Sequence, residues 1–227
     1  MDKIRIAIIT MTRDRFDYTD KCFQSLREKA GCEYDHYVLD NGSKDRTPEW
    51  LLNNSRVFKR VLLSSENLGL MVGFNVLLSI LDGEYDVVIK FDNDCLIHTD
   101  NAVKTIVTEM ARMSWGATIS PRVLGLNKPP KPIRQQQQNG YTFSELNHFG
   151  GIFYPIPGKL AKPMTGKAFL ARGLDWKLSQ RMRENGLKLY YLENVKVEHC
   201  DGTNNQAEKY PEYFSRKYEE ENLEVEA

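Results

Sequence analysis

The stretch Asp86-Val-Val-Ile-Lys-Phe-Asp-Asn-Asp94 (DVVIKFDND) decides the fold of this 227-residue chain. Asp86–Phe91 reads as a short buried strand, and two carboxylates, Asp92 and Asp94, follow it directly. Side chains at the carboxyl end of a strand in an open α/β sheet project into the crevice where ligands bind. Carboxylates at that place can hold a hard divalent cation. The alternative is a turn in which Asp92 or Asp94 only caps the backbone.

Strand-like and helix-like segments alternate through the first 120 residues. This alternation is the pattern of an α/β fold with a mainly parallel sheet flanked by helices. The predicted strands are Ile4–Thr10, Tyr34–Asp40, Val57–Ser64 and Asp86–Phe91. The predicted helices are residues 18–30, a short helix from Thr47, Leu70–Leu81, and a helix that Thr99 or Asp100 caps and that ends near Met113.

The sequence changes character between Ser120 and Met164. Seven of the nine prolines and the glutamine tract Gln135–Gln138 lie in this segment, which predicts a long irregular loop. Regular structure is expected again downstream of the glutamine tract. The expected elements are an ordered run at Phe149–Tyr154, a helix from about Asp175 to Asn185, and two short strands, Leu187–Leu192 and Val195–Cys200.

Two more polar turns follow predicted strands. The turn Asp40-Asn41-Gly42-Ser43 ends the second strand, and its Asp and Asn can hydrogen-bond a base or a ribose. The turn Glu66-Asn67-Leu68-Gly69 precedes a predicted helix, and a helix N-terminus attracts phosphate. Each motif taken alone is also typical of an ordinary turn.

Two titratable residues lie far downstream of these turns. Asp175 opens a predicted helix, where it is either an N-cap or a functional carboxylate. His199 ends a predicted strand, where it is either structural or the ligand that completes a metal site begun by Asp94.

The order of these elements carries more information than any one of them. They occur as the polar turn 40–43, Glu66–Gly69, the Asp-x-Asp turn 92–94, a Gly-Gly-aromatic run from Gly150, DWKLSQRMRENG (175–186) and YLENVKVEH (191–199). This arrangement resembles the GT-A-type glycosyltransferases, in particular the large inverting family 2 group. The resemblance covers roughly residues 4–200 and is weakest across 121–148 and 155–172.

The resemblance implies a site for a nucleotide diphosphate-sugar donor. The residues that match the family's donor contacts are Thr10, Asp40, Asn41, Glu66, Asn67, Gly69, Asp92 and Asn93. Many members carry Asp-Asp where this chain has Asp40-Asn41, so the identity of the nucleobase stays open.

The resemblance also implies a metal ion and a catalytic base. Asp94 and His199 would bind Mn²⁺ or Mg²⁺, and Asp92 would contact the ribose, a metal-bound water or the metal itself. Asp175 matches the last acid of the family's catalytic motif and would be the base, although the two positions before it are not acids. The implied reaction is metal-dependent transfer of a sugar to a hydroxyl acceptor. Inversion is expected from the resemblance to the inverting group, and retention is the alternative because retaining enzymes share this fold.

The chain has 31 basic and 31 acidic residues, and this zero net charge argues against nucleic-acid binding driven by overall charge. Pro121–Leu174 nevertheless holds eight basic residues and one acid, Glu145. The segment is either an ordinary solvated surface or a site for an anionic acceptor, such as a phospholipid-linked glycan, a polysaccharide or a nucleic acid. The eight are Arg122, Lys128, Lys131, Arg134, Lys159, Lys162, Lys167 and Arg172, of which Lys128, Lys131 and Arg134 are the acceptor-side candidates.

The sequence predicts a cytoplasmic protein. No apolar stretch approaches the roughly 18 residues needed to cross a bilayer, and MDKIRIAIIT at the amino terminus lacks the pattern of a signal peptide. The four cysteines have no CxxC spacing and are expected as reduced thiols.

We expect one domain with a variable acceptor side: a nucleotide-sugar-binding half at residues 1–120, an acceptor-binding and catalytic half at 121–216, and an acidic tail at 217–227. Two alternatives remain. A nucleotidyltransferase of similar fold normally has a glycine-rich, basic loop after its first strand, and Thr10–Asp14 (TMTRD) has no glycine. A non-catalytic binding module would account for Gly173 and Leu174 where the family has acids. A Rossmann dehydrogenase is disfavoured because no GxGxxG follows a strand.

Overall fold

The computed structural model describes residues 3–126, 128–165, 173–200 and 202–225. The strands are β1 Ile6–Thr12, β2 Asp35–Asn41, β3 Arg60–Ser64, β4 Val87–Phe91, β5 Cys95–Ile97, β6 Ala117–Leu124, β7 Arg134–Gln138, β8 Tyr141–Leu146, β9 Phe153–Pro157 and β10 Lys188–His199. The helices are α1 Phe16–Lys29, α2 Thr47–Asn53, α3 Leu70–Ser79, α4 Ala102–Arg112, α5 Leu174–Glu184, α6 Gly202–Lys209 and α7 Pro211–Val225. Lys167 and Arg172 of the basic segment lie outside the described residues.

The main sheet has the strand order β3-β2-β1-β4-β9. Its first four strands are parallel, and β9 runs antiparallel to β4 at one edge. The strands next to the sheet centre are apolar on both faces, as the complete burial of Ile8, Val38 and Ile89 shows. A strand covered on both sides is mostly apolar, and such runs can be recognised in the sequence. The predicted α/β fold with a mainly parallel sheet flanked by helices is confirmed.

A second sheet brings His199 beside the acidic turn, residues 92–94. Its order is β5-β10-β8-β7, with β6 parallel to β10. Strand β5 begins directly after the acidic turn and pairs antiparallel with the end of β10, so that Cys95 lies opposite His199. The carbonyl of Asp94 accepts a 2.8 Å hydrogen bond from the amide of Cys200. Backbone pairing thus holds two residues that are far apart in sequence at one place.

The prediction of a long irregular loop from Ser120 to Met164 is wrong. Four strands, β6 to β9, occupy much of this segment. Proline disrupts a central strand because it cannot donate to a ladder, but an edge strand tolerates it. Pro155 and Pro157 lie in β9 at the edge of the main sheet. Pro121 lies in β6, which among the described strands pairs only with β10.

The glutamine tract forms an edge strand of a β-hairpin. Strand β7 pairs antiparallel with β8, and four of its five side chains are exposed. Asn139 and Gly140 connect the two strands, both with positive φ (53° and 80°). An Asn-Gly pair with this geometry is the preferred two-residue hairpin turn. The Asn139-Gly140 pair therefore indicates a β-hairpin. The surrounding polar residues led to the prediction of a loop instead.

Two smaller differences concern the carboxyl-terminal part of the chain. The two strands predicted at 187–192 and 195–200 are one strand, β10, whose pairing with β6 is interrupted between Leu192 and Lys196 by a bulge. The acidic tail predicted from residue 217 continues helix α7, so that boundary falls inside a helix whose Phe214 is buried. All four cysteines are free thiols, as predicted. Among the described residues, every helix is too short or too polar to cross a membrane.

Candidate functional site

A pocket of about 260 Å³ lies at the carboxyl ends of β1, β2 and β4. This is the edge of a parallel sheet where α/β proteins bind ligands. Its lining residues are Met11, Thr12, Arg13, Arg15, Asn41, Asn67, Leu70, Lys90, Asp92, Asn93, Asp94, Asp175, His199, Gln206, Tyr213, Phe214 and Lys217. Seven of these were predicted from the sequence: Asn41, Asn67, Asp92, Asn93, Asp94, Asp175 and His199.

Thr10 and Asp40 lie beneath the pocket rather than in its lining. Strand β1 runs two residues further than predicted, so Thr12 takes the place at the pocket wall. The hydroxyl of Thr10 is bonded to His36 Nε2 at 3.0 Å. One oxygen of Asp40 accepts from the Thr12 hydroxyl at 3.0 Å, and the other accepts from the amide of Ser43 at 3.0 Å. Burial raises the pKa of Asp40, although the bonds from Ser43 and Thr12 oppose the shift.

Asn41 and Asn67 fasten the end of β2 to the loop before α3. Asn41 donates to Asn67 Oδ1 at 2.9 Å and accepts from the amide of Leu68 at 2.9 Å. Asn67 Oδ1 also accepts from the amide of Gly69 at 3.0 Å. Both asparagines line the pocket, whereas Gly69 caps α3 and Glu66 is exposed outside it. The predicted nucleotide-bordering turn therefore presents Asn67 to the pocket.

The Asp94 carboxylate interacts with three side chains at the site. Its Oδ2 lies 3.0 Å from Arg15 Nη1, 3.3 Å from Gln206 Nε2 and 3.4 Å from His199 Nε2. Burial raises the pKa of Asp94, but His199, Arg15 and Gln206 outweigh it and hold the pKa well below its usual range. Burial lowers the pKa of His199, but Asp94 outweighs it and the pKa is raised. The free protein therefore keeps Asp94 ionised beside Arg15 and His199.

Asp92 and Asp175 face one buried lysine. Lys90 Nζ donates to Asp92 Oδ1 at 2.6 Å and lies 3.8 Å from Asp175 Oδ1. Burial raises the pKa of Asp92, and the charge of Lys90 opposes this effect. Burial lowers the pKa of Lys90, but Asp92 and Asp175 outweigh it and raise the pKa above its ordinary value. The lysine is therefore charged.

Asn93 and the acceptor-side candidates lie in different surroundings. Asn93 is buried, donates to the Thr19 hydroxyl at 2.9 Å and lines the pocket. Lys128 and Lys131 are exposed and are not part of the pocket wall. Arg134, in the edge strand β7, forms an ion pair with Glu145, the one acid of the basic segment.

Residues 7–166 match the sequence profile of glycosyl transferase family 2. The chain belongs to glycosyl transferase family 2. No curated protein sequence shows significant similarity to the chain.

Solved structures with the same fold agree with this membership. The crystal structure of GalNAc-T7 with UDP, GalNAc and Mn²⁺ has a TM-score of 0.70 at 12% identity and matches 89% of this chain and 44% of that one. The mannosyltransferase PcManGT from Pyrobaculum calidifontis, with GDP-Man and Mn²⁺, has a TM-score of 0.68 at 14% identity, over 88% and 57%. S. aureus TarS 1-349 with UDP-GlcNAc has a TM-score of 0.66 at 14% identity, over 90% and 61%. The family 2 chain thus has the GT-A fold and spans about half the length of these proteins.

The described residues of this family 2 chain fit a divalent cation held jointly with a ligand. They contain no cluster of three or more His, Cys, Asp or Glu side chains with metal-site geometry. Asp94 Oδ2 and His199 Nε2, however, lie 3.4 Å apart on the pocket wall. Adjacent ligands of one octahedral ion are about 3 Å apart, since each lies about 2.1 Å from the metal. Mg²⁺ in particular is usually held by one or two protein groups together with substrate phosphates.

Helices α6 and α7 supply residues that sequence reasoning missed. Gln206, Tyr213 and Phe214 line the pocket from the carboxyl-terminal side. The guanidinium of Arg15 is bonded to Gln206 and lies 4.6 Å from the centre of the Tyr213 ring. No local pattern marks these residues, because packing of distant elements brings them together. Lys90 is different, since a lone lysine inside the apolar run VVIKF signals a buried charge that needs a partner.

Proposed function

We propose that this chain transfers a sugar from a nucleoside diphosphate sugar to a hydroxyl group, with inversion at the anomeric carbon. The observation that carries the proposal is the gathering of Asp94, His199 and Asp175 around one pocket from three separate elements. Family membership and the nucleotide sugars bound to proteins of the same fold support the class of donor.

Asp94 and His199 are the residues that would hold Mn²⁺ or Mg²⁺. The cation, when bound, supplies positive charge to the departing diphosphate. Asp92 would stand beside this site, with one oxygen already accepting from Lys90. Arg15, whose guanidinium is also directed at Asp94 Oδ2, adds a second positive charge at the same end of the pocket. Such fixed charges are effective because the surrounding side chains are buried.

Asp175 would act as the general base. The acceptor oxygen forms a bond to the anomeric carbon, the bond from that carbon to the diphosphate oxygen breaks, and its electron pair stays on the diphosphate. The acceptor's proton passes to the Asp175 carboxylate, which needs to lie within about 3 Å of the hydroxyl. The Asp175 side chain is 40% exposed, so an acceptor can reach it. Attack from the face opposite the diphosphate inverts the configuration.

Asn41, Asn67 and Thr12 would contact the nucleoside. They line the part of the pocket formed by β1, β2 and the loop before α3. Their amide and hydroxyl groups can donate and accept, which suits a base edge or ribose hydroxyls. The neighbouring structures contain both uridine and guanosine nucleotides, so we leave the nucleobase open.

We propose an anionic acceptor from the basic segment. Lys128 and Lys131 are exposed side chains that can approach phosphate or carboxylate groups, whereas Arg134 is already paired with Glu145. A phospholipid-linked glycan, a polysaccharide and a nucleic acid share this negative charge.

The test of the proposed function is release of nucleoside diphosphate from a panel of UDP-, GDP-, TDP- and CDP-sugars. Each donor is incubated with the protein and Mn²⁺, with and without candidate acceptors, and nucleotide release and anomeric configuration of the product are followed. We expect acceptor-dependent release from one class of donor. Metal-dependent nucleotide binding without any turnover would favour the non-catalytic module, whereas release of pyrophosphate from a nucleoside triphosphate would favour the nucleotidyltransferase.

A further inference from the structure

We propose that Lys90 and Gly151 position Asp175 relative to the acidic turn 92–94 and so set the rate of transfer without contacting the reacting atoms. The inference rests on the proposed function, in which Asp175 is the base. It concerns a lysine and a glycine to which neither the sequence motifs nor the proposed function gives a role.

Lys90 is a charged residue inside a strand that is otherwise apolar. It belongs to β4, where all five residues are buried, and only 4% of its side chain is exposed. A buried ammonium group persists only when it is paired and hydrogen-bonded. Its Nζ donates to Asp92 Oδ1 at 2.6 Å and to the carbonyl of Gly151 at 2.7 Å, and it lies 3.8 Å from Asp175 Oδ1.

Asp175 depends on this lysine for the position of its inner oxygen. Its Oδ1 is buried and has no hydrogen-bond partner within the described part of the chain. Lys90 Nζ lies 3.8 Å from this oxygen and forms an ion pair with it. Lys90 Nζ and this oxygen are both buried, where screening is weak. We infer that the charge of Lys90 draws this oxygen inward and leaves the rest of the carboxylate facing the pocket.

Gly151 packs directly against the Asp175 carboxylate. A Cβ atom at position 151 would lie 1.8 Å from Asp175 Oδ1 and 2.4 Å from its Cγ. Only a glycine therefore leaves room for the observed position of the carboxylate. The same glycine offers its carbonyl to Lys90. Lys90, Gly151 and Asp175 therefore each contact the other two, and these contacts join β4, the turn before β9 and the first turn of α5.

The neighbouring glycine provides a matched control. Gly150 is exposed, and a Cβ added there would meet nothing within 4 Å. Gly150→Ala thus adds the same methyl group one residue away without touching Asp175. The atoms that Gly151→Ala would displace belong to one side chain, so the fold can absorb the change while the carboxylate moves.

The experiment compares Gly151→Ala, Gly150→Ala, Lys90→Met and Lys90→Arg. For each variant, kcat is measured at saturating donor and acceptor, and the Kd of the nucleoside diphosphate with Mn²⁺ is measured by calorimetry. We expect Gly151→Ala and Lys90→Met to lower kcat by about 100-fold, the effect typical of a misplacement near 1 Å. The nucleotide Kd of Gly151→Ala should stay within about threefold of wild type, Gly150→Ala should match wild type, and Lys90→Arg should recover part of the rate.

Several outcomes would overturn the inference. A wild-type kcat in Gly151→Ala would show that the carboxylate need not be held there. Equal losses of kcat and nucleotide affinity would indicate general damage to the pocket. If Lys90→Met fails to fold, the comparison of kcat between Gly151→Ala and Gly150→Ala still tests the inference. Absence of transfer in the wild type with every donor would instead contradict the proposed function, and that result is obtained before any variant is made.

Discussion

Arg15 Nη1 lies 3.0 Å from Asp94 Oδ2, and this buried ion pair joins the start of helix α1 to the acidic turn 92–94. Arg15 caps α1 in a left-handed conformation with φ of 56°, which is uncommon for a residue with a side chain. Its guanidinium also donates to Asn93 and Gln206. One residue thus connects the acidic turn to the carboxyl-terminal helices.

We expect Arg15→Met to destabilise the free protein strongly. Removing one partner of a buried pair leaves the other charge uncompensated, which costs about 3–5 kcal/mol. Urea denaturation would measure the loss in the free energy of unfolding. Arg134→Met, which removes the exposed ion pair with Glu145, is the control and should cost far less. Equal losses of unfolding free energy in the two variants would show that the buried Arg15–Asp94 pair stabilises the protein no more than the exposed pair does.

His199→Ala should weaken Mn²⁺-dependent binding of the nucleoside diphosphate by at least about tenfold. Loss even of an outer-shell partner typically costs 10–100-fold in metal affinity, and a direct ligand should cost no less. Binding in EDTA should not change. His98, directly after β5 and paired with Glu198 outside the pocket, gives the control His98→Ala. Calorimetry measures both, and identical metal dependence in both variants would exclude His199 as a ligand.

Asp175→Asn should lower kcat by about 10²–10⁴-fold, the usual contribution of a general base. The amide keeps the shape of the carboxylate, so nucleotide binding should persist. Glu184→Gln, the same change at the exposed far end of α5, should leave kcat at the wild-type value. An Asp175→Asn variant with a normal rate would remove this residue from the mechanism.

The stability of the protein should fall in mild acid because of His36. Burial lowers its pKa from 6.5 to about 3. Between these values the unfolded chain binds a proton that the folded protein does not, so the free energy of unfolding decreases as pH falls through that window, by up to about 1.4 kcal/mol per pH unit. Above pH 6.5 the histidine has no such effect.

His36→Phe tests this pH dependence. The replacement ring keeps the edge contacts with Phe23 and Phe58, whose centroids lie 4.8 and 5.3 Å away, but cannot be protonated. Thr10 would lose its partner, which lowers stability equally at all pH values. Urea denaturation at pH 7, 6 and 5 should show a shallower loss in the variant. Parallel curves for the two proteins would contradict the assignment.

The acceptor hypothesis predicts a rise in acceptor KM when Lys128 and Lys131 are both replaced by alanine. Loss of two positive charges weakens attraction to an anionic acceptor and leaves the donor pocket unchanged. Lys21 and Lys59 are exposed lysines outside the basic segment, and their double alanine variant is the control. Initial rates at varied acceptor concentration measure the effect. An unchanged acceptor KM would refute the role of the segment.

The parallel part of the fold could be predicted because burial on both faces makes its strands mostly apolar, as in Ile6–Thr12 and Val87–Phe91. In the second sheet, β10 could be predicted, as two strands, but β6 and β7 could not. Strand β7 is a run of exposed glutamines, and β6 contains Pro121, so their structure depends on the partner strand rather than on a local pattern. Context of this kind decides strand formation more than intrinsic preference does.

Some residues of the candidate site could likewise be predicted from the sequence, and others could not. Asp92, Asp94 and Asn41 could be predicted because each directly follows or ends a parallel strand, and such ends share one edge of the sheet. Arg15 and Gln206 could not, because their meeting depends on how α1 and α6 pack around that edge.

The most direct test is a calorimetric titration of the wild-type protein and Asp94→Ala with UDP, GDP, TDP and CDP, each with Mn²⁺ and with EDTA. In the proposed function Asp94 holds the cation together with the donor's phosphates, so wild type should bind one nucleotide in a metal-dependent manner. The variant should lose that dependence. Metal-dependent binding of the same strength in Asp94→Ala, or no binding of any nucleotide by the wild type, would contradict the account.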